Sequence, residues 1–365
     1  IELKTPKKYN NHNWEMNFSE KEIKKNRNIP IVDIKINRWE KEGLIVRDDS
    51  IIWPNNKKFA LCLTHDIDNP YGKRYIYYKR KISNYKSAPV FKKIILILSL
   101  VKNLLINKSK QIAELSDWIA VENKYNFKSS LFFFSEKLLN KDWRDAFYNY
   151  KDKIKYNGKG LQIGKVIKKI ESMGWDIGLH GSSNSAFLAE NLSYEKKFLE
   201  GFLEYGIKTL RQHHLIFDIK STPKIHEKVG IKADSTRGSN ISVDYRCGTG
   251  FPFFEYDLNN DRILDVLQVP LIIQDVSLFK HSDLNAKEII EYCTDLIKRT
   301  KEYNGVITLL WHNNYPKDSQ EFKIYSQILK NAYDLGAWGC SVEELNDFWR
   351  KRGDINERVS TGSNK

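Results

Sequence analysis

The stretch Lys58-Phe-Ala-Leu-Cys-Leu-Thr-His-Asp-Ile-Asp68 runs an apolar segment directly into a cluster of coordinating side chains. Phe59 to Leu63 reads as a short buried strand, and His65, Asp66 and Asp68 follow at its carboxyl end. Alternate residues of a strand share a face, so Asp66 and Asp68 should point the same way. Two carboxylates in a dry cleft repel each other unless a cation or a shared proton relieves them. The pair therefore suits a divalent metal plus a general base. The plain alternative is a polar loop after a core strand.

Working outward, helical and strand-like segments alternate. A helix around 112–125 precedes a strand at 129–134. One around 164–173 precedes 176–179, which runs into His180. Another at 194–205 precedes Thr209-Leu210 and then Arg211-Gln-His-His214. Residues 230–234 form a short strand, and Val269 to Ile273 lead into Asp275. A helix over 286–303 precedes 305–310, which ends in Trp311-His312. A helix near 325–335, a last strand-like element and 342–351 close the pattern. Repeated βα units imply a parallel sheet, and about seven of them suggest closure into a barrel. Asp66, Asp68, His180, Arg211, His213, Asp275 and His312 all fall at strand ends, where β/α barrels assemble their sites.

The 365 residues suffice for one large domain with an appendage. The expected division is an N-terminal arm or end of a preceding domain over 1–56, a barrel over 57–352 and a loose tail over 353–365. Sixty Lys and Arg against 46 Asp and Glu give a net charge of +14, which favours anionic partners. Such partners include acidic glycans, nucleotide-linked sugars, nucleic acid and a membrane face, and no nucleic-acid recognition module is present in the sequence. The four cysteines are far apart and form no CxxC pair, against a cysteine zinc site or a disulfide framework. That points to the cytoplasm. An extracytoplasmic place stays open, because the chain opens on Ile1 and the lack of a signal peptide is weak evidence. Residues 94–106 form an apolar run too short to span a bilayer, which needs about 20 residues. They read as a buried helix, or as an interfacial one giving peripheral membrane contact through 91–106. The sequence does not fix the oligomeric state.

Together these segments resemble the polysaccharide deacetylases, the NodB-homology carbohydrate esterases, over roughly residues 57–350. Thr64-His-Asp-Ile-Asp68 looks like the first family motif in its Asp-x-Asp form. Ile177-Gly-Leu-His-Gly-Ser182 looks like the second, Arg211-Gln-His213 falls where an Arg-led third would, and Leu309-Leu-Trp-His312 looks like the last. Tyr245-Arg-Cys-Gly-Thr249, Pro252-Phe253 and Pro270 to Asp275 are similar to a divergent bacterial branch. The resemblance implies an α/β fold, a distorted (β/α)7 barrel of the NodB type with an N-terminal extension. It implies Asp66 as catalytic base, Asp68 and His180 as ligands of a divalent metal, most simply Zn2+, and His312 as general acid. Arg211 would orient the base, and Asp275 would fix the tautomer of His312.

One departure stands out. The family's second metal histidine falls four residues after His180, where this chain has Asn184, a poor zinc ligand. His213 is the expected replacement, with His214 and His65 as alternatives, although His213-His214 also reads as one core ring and one exposed ring. Tyr71, Phe251, Phe253 and Trp311 could stack on sugar rings or belong to the core. The expected activity is metal-dependent hydrolysis of an N- or O-acetyl group on a bacterial surface glycan or its precursor. The competing reading is a catalytically inactive, carbohydrate-binding relative.

Overall fold

A computed structural model describes residues 29–44, 51–71, 82, 90–106, 113–142 and 144–362. In chain order the strands are β1 (Phe59–Ile67), β2 (Ser130–Phe133), β3 (Lys153–Tyr156), β4 (Lys159–Gln162), β5 (Asp176–Gly181), β6 (Thr209–Gln212), β7 (Ala233–Asp234), β8 (Phe253–Asp257), β9 (Arg262–Gln268), β10 (Ile273–Gln274), β11 (Val306–Leu310) and β12 (Ala337–Cys340). The helices are α1 (Ile31–Lys41), α2 (Val90–Ile106), α3 (Leu115–Asn123), α4 (Ile163–Ser172), α5 (Ala189–Glu200), α6 (Thr222–Val229), α7 (Asp275–Lys280), α8 (Ala286–Glu302), α9 (Gln320–Asp334) and α10 (Val342–Gly362).

The strands lie in the order β10-β11-β1-β2-β5-β6-β7-β9-β8, and β12 also pairs with β1. Every pairing in this sheet is parallel except the β8–β9 hairpin. The sheet curls as a distorted (β/α) barrel, and among the described residues no pairing closes it between its edge strands β8 and β10. β1 is its axis. One edge pairs with β11 from Ala60 to Thr64; the other pairs first with β12 and then, from Thr64, with β2. All nine residues of β1 are buried, as a strand covered on both faces requires.

Period two then sorts the side chains. On β1, Leu61 and Leu63 join the apolar cluster under α8 and α9, whereas Ala60 and Cys62 join a second cluster with Phe132, Ala233 and Val306. The second set defines the concave face, and continuing it along β1 gives Thr64, Asp66 and, one step past the strand, Asp68. The floor of this face is closed by Trp53, whose ring lies 5.0 Å from Phe348 and whose Nε1 donates to the Asn304 carbonyl at 3.1 Å. α1 docks on the same end: the Val32 N–H donates to the Gly248 carbonyl at 2.9 Å, and Asp33 accepts from the Gly250 N–H at 3.0 Å. The last helix continues through Gly362, past Arg352, where the sequence reading places a loose tail.

Two hairpins, β3–β4 and β8–β9, and the helices α1 and α6 are additions to the expected elements. Val269 to Ile273 is not one strand: β9 ends at Gln268, and only Ile273–Gln274 pairs again, with β11. The Leu271 N–H donates to the Arg237 carbonyl and the Ile272 N–H to the Thr308 carbonyl, so the intervening backbone is satisfied outside the ladder.

Candidate metal and catalytic site

The concave face becomes polar towards the carboxyl ends of the strands. β5 contributes Asp176, Gly178 and His180 in steps of two, and β6 contributes Thr209 and Arg211, with His213 just beyond. β11 contributes Thr308 and Leu310 and, one step beyond it, His312. Parallel register brings His180 opposite Arg211. Close packing of β2, β5 and β6 depends on Gly178, where a Cβ would sit 2.4 Å from Phe132 Cδ1 and 2.6 Å from Thr209 Oγ1.

At the mouth, one carboxylate oxygen of Asp68 lies 3.3 Å from His180 Nε2 and 3.8 Å from His213 Nε2. Ligand atoms of Asp68, His180 and His213 all lie within 4.8 Å of one another. Each ring is oriented by its other nitrogen: His180 Nδ1 is 2.8 Å from the Arg211 carbonyl, and His213 Nδ1 is 3.1 Å from Asp145 Oδ1. Phe134 packs edge-on against both rings, with centroids at 4.5 and 4.7 Å. Asp68 Oδ1 is buried and accepts no hydrogen bond. Burial alone would raise the Asp68 pKa, but His213, His180 and His312 around it hold the carboxyl well below the usual carboxylate range. Burial would lower the His180 pKa, which Asp66 and Asp68 raise instead. A buried oxygen without a donor, facing two pre-oriented imidazole nitrogens, fits a divalent cation with one carboxylate and two nitrogen ligands, and zinc favours that donor set.

Asp66 sits beside this cluster in a different setting. Arg211, fully buried, donates through Nη1 to Asp66 Oδ1 at 3.0 Å and to Thr64 Oγ1 at 2.8 Å, while its Nε and Nη2 donate to the carbonyl and hydroxyl of Ser235. The other Asp66 oxygen is 3.7 Å from His180 Nε2. Across the mouth His312 Nε2 lies 3.7 Å from Asp68 Oδ2. Its Nδ1 and backbone N–H both reach the buried Asp275, at 2.8 and 3.0 Å. Burial works against charge on His312, yet Asp275 pushes its pKa up to about 10. The site thus carries a carboxylate fixed by a guanidinium on one side and an imidazolium fixed by a carboxylate on the other. All seven residues singled out from the sequence meet at this mouth.

The remaining candidates lie elsewhere. His65, on the opposite face of β1, is buried between the Trp311 carbonyl and Glu122 Oε1, each 2.6 Å from a ring nitrogen. Asn184 turns to the Asn140 carbonyl at 3.4 Å. His214 is exposed, in the left-handed region with φ of 57°, and its ring stacks 3.7 Å from that of His213. Trp311 is wholly buried among Phe279 and Tyr325, and Phe251 packs on Trp349, so both serve the core. Asp145 is the residue that sequence reasoning missed. It sits in the connection between β2 and β3 and accepts from the N–H and hydroxyl of Ser183 at 2.9 and 2.6 Å while facing His213. Trp143-Arg-Asp145 has no periodicity that would mark it.

No protein-family model and no curated protein matches the sequence. Among solved structures, the chain is similar to a candidate polysaccharide deacetylase from Mycobacterium smegmatis, with 13% identity, a TM-score of 0.55, and coverage of 85% of this chain and 96% of that one. It is also similar to a candidate polysaccharide deacetylase from Pseudomonas aeruginosa PAO1, with 11% identity, a TM-score of 0.51, and coverage of 83% and 95%. The chain therefore has the fold of the NodB-type polysaccharide deacetylases.

Proposed function

We propose that this protein is a metal-dependent deacetylase that removes an N- or O-acetyl group from a bacterial surface glycan or its precursor. The observation that supports it most is the convergence of Asp68, His180 and His213 on one point, flanked by Asp66 on Arg211 and by His312 on Asp275. Asp68, His180 and His213 would hold the cation, with His213 taking the place that Asn184 vacates. A bound zinc ion would supply a Lewis acid for the acetyl carbonyl and lower the pKa of the attacking water.

The chain's own groups do the proton work. Asp66 takes the water proton, and Arg211 fixes the carboxylate so that it is aimed before attack. His312 keeps its Nδ1–H on Asp275, which leaves the Nε2–H to be given to the departing nitrogen or oxygen. A sugar amine leaves only when protonated, so an acid opposite the base is required. The products are acetate and the free amine or hydroxyl.

The test is protein purified without added metal. The proposal expects about one divalent ion per chain, in line with three protein ligands and an open position for water, and acetate release that a chelator stops. Asp66→Asn should keep the ion and lose turnover by about 10²–10⁴-fold. His213→Ala should lose the ion. A chain that stays free of metal under saturating zinc, or an Asp66→Asn variant that still turns over, overturns it.

A further inference from the structure

Within the connection from β1 to β2, the segment 69–113 contains eleven Lys and Arg and no Asp or Glu, against a net charge of +14 for the whole chain. Within it α2 leaves Val90, Ile94, Ile95, Ile97, Leu98 and Val101 exposed, Val90 at 73% and Leu98 at 62%. At helical spacing these six fall on one broad face, while Leu96, which is buried, points the opposite way. A contiguous apolar face of this kind marks an interaction surface. Its 17 residues extend about 25 Å, short of the roughly 30 Å of a bilayer's hydrocarbon core. No helix among the described residues is long and apolar enough to cross a membrane.

From this we infer that α2 docks flat on an anionic lipid surface, its apolar face among the acyl chains, with the positive charge that the sequence concentrates in 69–113 supplying the attraction to the headgroups. Two observations select this occupant. Apolar burial joined to attraction for anionic lipid is the pairing that holds interfacial helices. A second copy of the chain would instead bring another eleven positive charges against the first, and like charges oppose that contact. The connection also leaves β1 immediately after Asp68, so it springs from the rim on which the mouth is built. Docking there would present the mouth to a glycan carried at a bilayer surface. The docking itself stands on the helix and the charge, independently of the deacetylase reading.

The test is flotation of the full chain with vesicles rich in phosphatidylglycerol and with pure phosphatidylcholine vesicles. The expected result is co-flotation with the anionic vesicles, falling about tenfold or more on neutral ones and at high salt. A variant with Ile94→Ser, Leu98→Ser and Val101→Ser should lose about tenfold of that binding while keeping its metal content and its rate on a soluble acetylated substrate. Lys92→Glu with Lys93→Glu should also weaken it, through charge alone. Equal binding to both vesicles, triple-variant binding like that of the parent, or a parent dimer that the triple variant dissolves would overturn the inference; the last would make the face an interface between copies.

Discussion

Replacing Asp275 by Asn removes one negative charge 2.8 Å from His312 Nδ1 while keeping an oxygen in place to accept its proton. At an effective dielectric of about 20, that contact is worth about 6 kcal/mol, enough to move a pKa by about four. The His312 pKa rises from an ordinary 6.5 to about 10, a change of the same size and opposite to what burial alone would do. The sign follows from the role. A general acid works while protonated, so activity is present below its pKa and lost as pH rises through it. A cation on Asp68 would cancel that carboxylate's help to His312 and leave Asp275 as the dominant partner. In Asp275→Asn the alkaline limb of kcat/KM should therefore fall by about three to four pH units, and the rate at neutral pH should drop with it. The assay is acetate release by the metal-loaded enzyme across the pH range, with metal content measured in parallel. If the rate falls but the alkaline limb stays where it is, His312 is not the titrating acid and the pairing with Asp275 is structural.

Other consequences can be measured directly. Asp145→Asn leaves the His213 ring without its carboxylate partner, and losing the group that orients a ligand histidine costs about 10–100-fold in metal affinity; zinc titration against a competing chelator checks it, and unchanged affinity would mean His213 is held by packing on Phe134 and His214. Gly178→Ala forces a methyl group into the Phe132 ring and the Thr209 hydroxyl, with overpacking expected to cost about 1–3 kcal/mol; urea unfolding that shows no loss would place β2 and β5 further apart than described.

Much of the site was legible because a single rule operates along its strands. Period two, read from Asp66 and Asp68, carries through to His180, Arg211 and His312, and parallel strands bring those positions to one rim. The choice of His213 over His65 is decided by the same rule. His65 lies on the other face of β1, where Glu122 and the Trp311 carbonyl occupy its ring nitrogens. What escaped depends on contacts far apart in sequence. Asp145 matters only because Ser183 and His213 approach it from two other connections. The β8–β9 hairpin carried a local signal in Leu258-Asn-Asn-Asp261, a polar turn with φ of 50° at Asp261 between alternating strands. The βα rhythm on either side obscured it. α1 follows Pro30, which offers no side-chain cap, and mixes apolar and charged residues, so little in its composition announces a helix.

β1 is the first strand of the sheet to be synthesised, yet its partners along Phe59–Thr64 are β11 and β12, near the other end of the chain. On the ribosome, Phe-Ala-Leu-Cys-Leu must therefore wait with both edges unpaired until Val306–Leu310 has emerged, and with one edge still open until Ala337–Cys340 follows. Pairings between such distant segments are the slow ones, because a long loop must close before any of their free energy is gained. A nascent apolar strand with open edges is an aggregation hazard during that interval. The placement of Asp66 on this strand and of Asp68 just past it thus ties assembly of the site to the latest step of chain closure, and a chain stopped short of Ala337 would carry every one of its candidate ligands without the strand that completes the frame.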